Sequence, residues 1–168
     1  SLPCDSLFFN KTDNCFGNVR DSFSSIYALR DTCNFKFNRI GENNEIQHTG
    51  STIDAIDADN NGAIDVLIGS VSISTITMLY NNGNPSYASI LDQDTHYPST
   101  NTSYNTNSFA SPVFIDVDND NKRDLIVSTY DNGASNVNNI WYYKNSKINR
   151  LDLTLQQKNF LLDNMIDA

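Results

Sequence analysis

DADNNGAID (57–65) and DVDNDNKRD (116–124) are two nine-residue acidic loops that recur in the same surroundings along the chain. In each, oxygen-bearing side chains fall at positions one, three, five and nine, the alternation by which a short turn wraps a hard cation. Immediately after position nine come VLIGS (66–70) and LIVST (125–129), and before position one come STIDAI (51–56) and SPVFI (111–115). These short, β-branched apolar runs have the length and composition of strands, not helices. Each loop is therefore expected to join two adjacent antiparallel strands, and the chain to be all-β with no helix of consequence.

The residue types in the loops point to calcium. Ca²⁺ takes about six to eight oxygen ligands, and alternate residues of a tight loop can aim several carboxylates and one backbone carbonyl at a common centre. In the first loop Asp57, Asp59, Asn61 and Asp65 supply side chains and Ala63 its carbonyl; in the second Asp116, Asp118, Asp120 and Asp124 do so, with the carbonyl of Lys122. Two Ca²⁺ sites are expected. Gly62 holds position six of the first loop, where a sharp turn calls for positive φ, and Asn121 holds it in the second. Solvated surface turns are the competing explanation, because Asp and Asn favour turns for their own hydrogen bonds. An EF-hand is excluded, since its bidentate glutamate is replaced by Ile68 and Val127 at position twelve. Four carboxylates against three predict the tighter site in the second loop; Asn121 in place of Gly62 works against that order.

The duplication extends past the loops. Asp57 and Asp65 align with Asp116 and Asp124 at an offset of 59 residues, and MLYNNG (78–83) aligns with WYYKNS (141–146) at an offset of 63, with the extra residues placed around 131–138. A strand, acidic loop, strand, turn, aromatic strand pattern near sixty residues indicates an array of β units, most naturally radial blades, with a small open β-sandwich as the alternative. The division that follows is a cysteine-containing lead-in over 1–50 belonging to a preceding blade, a first unit over 51–110, and a second over 111–168 with the start of a further one. Strand alternation sends Trp141 and Tyr143 to one face and Tyr142 to the other, so the first two are expected in an inter-blade core instead of on a sugar-stacking platform.

IDAIDADNNGAIDVLIGS and PVFIDVDNDNKRDLIVS resemble the FG-GAP or VCBS repeats of integrin-like β-propellers. The resemblance implies a calcium loop between the first two strands of each blade, held by the residues named above. It covers roughly 51–146 and lacks the literal Gly-Ala-Pro cassette, which only Ser111 and Pro112 approximate. The Asn-rich texture, the lead-in CDSLFFNKTDNCFG and the tail NFLLDNMIDA look similar to large surface proteins that Bacteroidota export by type IX secretion. A propeller needs about four to eight blades. Two units cannot close a ring, so the chain is expected to be part of a longer polypeptide, not stable alone, and docked on remaining blades or on another subunit.

Composition narrows the function. A net charge of −9 with a pI near 4.4 argues against nucleic-acid and anionic-membrane partners, and the longest apolar runs are too short for a membrane span. Cys4, Cys15 and Cys33 cluster in the lead-in, where one disulfide and one unpaired thiol suit an exported protein; the pairing stays open among three possibilities. His48 and His96 are isolated and no CxxC is present, which disfavours zinc. Sequons stand at Asn10 and Asn101, and Asp5-Ser6-Leu7 resembles a bacterial O-glycosylation motif. Nucleophile-elbow, phosphate-loop and metalloprotease patterns are absent, so no enzyme activity is expected. The expected function is a calcium-binding extracellular or cell-surface module for binding or adhesion, with a protein or glycan ligand. The alternative is an ancillary propeller of an exported enzyme or a secretion-associated complex.

Overall fold

The computed structural model describes residues 15–16, 19–20, 28–29, 51–71, 73–83, 88–106, 109–129 and 138–161. Cys4, Cys33, the sequon at Asn10 and the Asp5-Ser6-Leu7 motif lie outside them; Cys15 opens the first strand. Among the described residues there is no helix. Three two-residue strands, β1 (Cys15–Phe16), β2 (Val19–Arg20) and β3 (Ala28–Leu29), form a small antiparallel sheet. Two four-stranded antiparallel sheets follow. The first runs in the order β4 (Ser51–Ile56), β5 (Asp65–Ser70), β6 (Ile76–Asn81), β7 (Ile90–Asp94). The second repeats it with β8 (Ala110–Ile115), β9 (Asp124–Thr129), β10 (Ile140–Asn145) and β11 (Leu153–Gln157). Each acidic loop joins the first two strands of its sheet. This is the up-and-down blade expected from the alternating apolar runs.

The period of two decides how the sheets stack. In β5, Asp65, Leu67 and Gly69 are buried while Val66, Ile68 and Ser70 are only half-buried. Leu67, Ile76 and Met78 on one face of the first sheet share a core with Phe114, Leu125, Val127, Trp141 and Tyr143 of the second. The opposite face of the first sheet, with Leu79 and Ile90, packs with Val19 of β2. The sheets are therefore layered face to face in chain order. Tyr104, from the segment between them, stands edge-on to Trp141 at 5.2 Å, and Trp141 stacks on Tyr143 at 6.2 Å. Burying each of these aromatic rings contributes on the order of 2 kcal/mol from area alone. The expectation that Trp141 and Tyr143 are core residues holds.

The first strands of the two sheets are tied by polar contacts across the stack. Thr52 Oγ1 donates to the Ala110 carbonyl at 2.6 Å, and the Phe114 amide donates to Asp54 Oδ2 at 2.6 Å. The backbones come so close here that a Cβ on Gly69 would collide with the Ala110 carbonyl oxygen and with Thr52 Oγ1. Only glycine fits.

One detail of the duplication is corrected. Leu67 pairs with Met78, and Ile126, which lies 59 residues after Leu67, pairs with Tyr142. The third strands therefore correspond at an offset of 64 (Met78 to Tyr142), not 63. Matching Met78 to Trp141 and Tyr80 to Tyr143 aligned bulk with bulk, whereas register is set by ladder hydrogen bonds. The true partners are Tyr80 with Lys144 and Asn81 with Asn145.

Candidate metal loops

Both loops are folded by their own aspartates. Asp57 at position one accepts from the amides of Asn61 (3.0 Å) and Gly62 (2.9 Å). Asp116 does the same for the amides of Asp120 (3.1 Å) and Asn121 (2.9 Å). At position five, Asn61 Oδ1 accepts from the Ala63 amide at 2.7 Å and Asp120 Oδ1 from the Lys122 amide at 3.0 Å. The turn is left-handed at two places in each copy. Position six has φ of 88° at Gly62 and 64° at Asn121, as its residue types predict; position four has 64° at Asn60 and 59° at Asn119, which the sequence reading passed over. Asparagine at position four of both loops was the available signal.

Position nine anchors the loop to the sheet. Asp65 is fully buried, with Oδ2 accepting from the Ala58 amide and Oδ1 from the Asn81 amide, both at 2.8 Å. Asp124 is equally buried and accepts from the amides of Val117 (3.2 Å) and Asn145 (2.8 Å), and from the Tyr142 hydroxyl (3.2 Å). Asn81 and Asn145 continue the chain of contacts. Asn81 Oδ1 accepts from the amides of Gly83 and Ser89, and its Nδ2 donates to the Ile64 carbonyl at 3.1 Å. Asn145 Oδ1 accepts from the amides of Lys147 and Asp152. These two asparagines were missed, because the slip of one residue in the alignment hid their equivalence.

Three carboxylates converge in each loop. Oxygens of Asp57, Asp59 and Asp65 lie within 4.8 Å of one another, as do those of Asp116, Asp118 and Asp120. Asn61 joins the first group through hydrogen bonds to both oxygens of Asp59 at 3.1 Å. Ala63 is buried at 1% exposure and Lys122 is half-buried. Asp124 is not among the second converging trio. The donor set is all oxygen, with no sulfur or imidazole, and fits a hard divalent cation. Such clusters can hold a metal ion.

The electrostatics of the two loops differ. Burial chiefly pushes the Asp65 carboxyl up, the amides of Asn81 and Ala58 pull it down, and the charges of Asp59 and Asp57 push it up again. Desolvation is the largest of these effects, and the neighbouring like charges add to it. In the second loop the hydrogen bond from Lys122 holds Asp120 below the ordinary carboxylate range, helped by the charges of Lys122 and Lys144.

The sheets and loops together define a duplicated β unit with an acidic loop between its first two strands. Residues 57–127 match the family model of the FG-GAP-like repeat, and the two antiparallel four-stranded sheets are blades of the β-propeller type. No curated protein and no solved structure matches the chain. No helix among the described residues is long and apolar enough to cross a membrane.

Proposed function

We propose that the chain is a non-enzymatic, extracellular calcium-binding module, in which the two acidic loops hold Ca²⁺ and stiffen one edge of a β-propeller used for cell-surface binding or adhesion. The observation that carries this reading is the repeated convergence of all-oxygen donors at the mouth of two equivalent hairpins. The chain's own residues do most of the work. Asp57 and Asp116 close the turn, Asp65 and Asp124 fasten it to the third strand, and Asp59 and Asp118 present carboxylates outward. A bound cation would relieve the repulsion that these groups otherwise store. Low-millimolar external calcium suits sites with dissociation constants of about 10⁻⁴ to 10⁻³ M.

The partner reading rests on two exposed apolar residues of β8 on the outer face of the second sheet. Val113 and Ile115 there are 46% and 50% exposed, whereas Asp54 and Ile56, their counterparts 59 residues earlier, face the second sheet across the stack. A further β unit, in the same polypeptide or in another subunit, suits this face. Protein or glycan ligands suit the loops.

Isothermal titration of the full chain with CaCl₂ tests the metal reading. Two binding events are expected, one lost in Asp57→Ala and the other in Asp116→Ala. Absence of calcium heat in the folded wild-type chain rules the reading out.

A further inference from the structure

The two loops are equivalent in backbone but not in what faces their carboxylates. The first contains no lysine or arginine within its nine residues, and the third-strand residue that follows the Val66–Leu79 pair is Tyr80, which carries no positive charge. The second contains Lys122 and Arg123, and its third-strand position is Lys144. Lys144 Nζ is in direct contact with Asp118 Oδ2 and lies 3.6 Å from Asp120 Oδ2, while Lys122 Nζ sits 2.5 Å from the same Asp120 oxygen. The side chain of Lys144 stays 40% exposed, so it can leave without unpacking the sheet. Its ammonium occupies the space between two carboxylates of the converging trio, where a cation would be shared.

We propose that Lys144 is a tethered counter-cation of the second loop. It competes with Ca²⁺ for Asp118 and Asp120, making the second site the weaker of the two and one that fills only at higher calcium. This rests on the reading of the loops as calcium sites and adds an order of filling to it. It reverses the order expected from counting carboxylates, because the count left out the ammonium groups that the fold brings back to the loop. Binding at the second loop must both desolvate the cation and expel a like charge, whereas among the described residues no lysine or arginine pairs with the carboxylates of the first loop.

The experiment is calorimetric titration of the full chain with CaCl₂ in an Asp57→Ala background, which leaves the second loop alone. Adding Lys144→Met is expected to tighten calcium binding by roughly tenfold or more, the scale of removing one nearby positive charge. Lys144→Gln should behave alike, and Lys144→Arg should leave the affinity near that of the parent. In wild type, the tighter event should be the one lost in Asp57→Ala. An unchanged dissociation constant on adding Lys144→Met, with calcium still bound by the Asp57→Ala parent, overturns the counter-cation role alone. No calcium heat in wild type or any variant overturns the calcium reading, and the order of filling with it.

Discussion

At the scale of single residues, the position-nine aspartates have a structural role of their own. Asp65 satisfies two buried amides and Asp124 satisfies two amides and a hydroxyl. Leaving a buried donor unpaired costs about 1–3 kcal/mol. Asp65→Ala should therefore destabilise the chain by about 3 kcal/mol and Asp124→Ala by about 4–5 kcal/mol, even in chelator. Urea melts in EDTA check the order, and equal midpoints for the two variants would sink it. The Tyr142 hydroxyl that shares Asp124 carries a second expectation. Burial first, and the Asp124 charge second, push its ionisation up to about 12; Tyr80 is pushed up to about 12 by burial and then by Asp94. A phenol whose folded pKa lies above its ordinary value near 10 keeps its proton more firmly when folded. Its stabilising contribution is then complete below pH 10 and is lost as pH rises toward 12. Phenolate absorbance should lag behind free tyrosine across that window and catch up on alkaline unfolding; simple titration near pH 10 for all eight tyrosines would contradict it.

At the scale of elements, the contact between the first strands of the two sheets depends on one missing side chain. Gly69 lets Ala110 approach, and a methyl group there meets backbone, which cannot swing aside. Gly69→Ala should cost about 3 kcal/mol, near the upper end for overpacking, and should separate the sheets without melting either hairpin. Amide exchange reads this directly: the Phe114 amide, bonded to Asp54, should lose protection before the β5–β6 ladder does. Equal protection in variant and wild type would show that the approach is not tight. Much of this level was legible beforehand. Both strand–loop–strand units, the turn at Gly62 and Asn121, and the burial of Trp141 and Tyr143 follow from period-two alternation and from which residues tolerate positive φ. What was not legible depends on pairing between distant residues. Asn81 and Asn145 act on loops sixteen and twenty-one residues away. Nothing local marks Gly69 as the point where another sheet touches, and Lys144 reaches Asp118 only because β10 lies against β9.

At the scale of the whole molecule, the sheets form one stack whose loop end is concentrated negative charge, so stability should depend on the cation supplied. The loops also reach across the stack: the Leu151 amide, in the turn before β11, donates to the carbonyl of Ala58 in the first loop at 2.9 Å. Order in one loop is thus felt by both sheets. With a dissociation constant of about 10⁻⁴ M and roughly 2 mM free calcium, filling the first site contributes RT ln(1 + 20), about 1.8 kcal/mol. For a chain of this size that corresponds to a rise in Tm of about 4–7 °C. The second site, with Lys144 on its carboxylates, should add little until calcium is raised further. Scanning calorimetry of the full chain in calcium and in EDTA should show that rise, nearly abolished in Asp57→Ala and mostly kept in Asp116→Ala. Magnesium should reproduce little of it, since it demands compact octahedral sites and gives up water reluctantly. A Tm indifferent to calcium would leave the aspartates with their hydrogen bonds as their whole purpose. A shift that survives Asp57→Ala but not Asp116→Ala would place the working site in the second loop, against the order argued from Lys144.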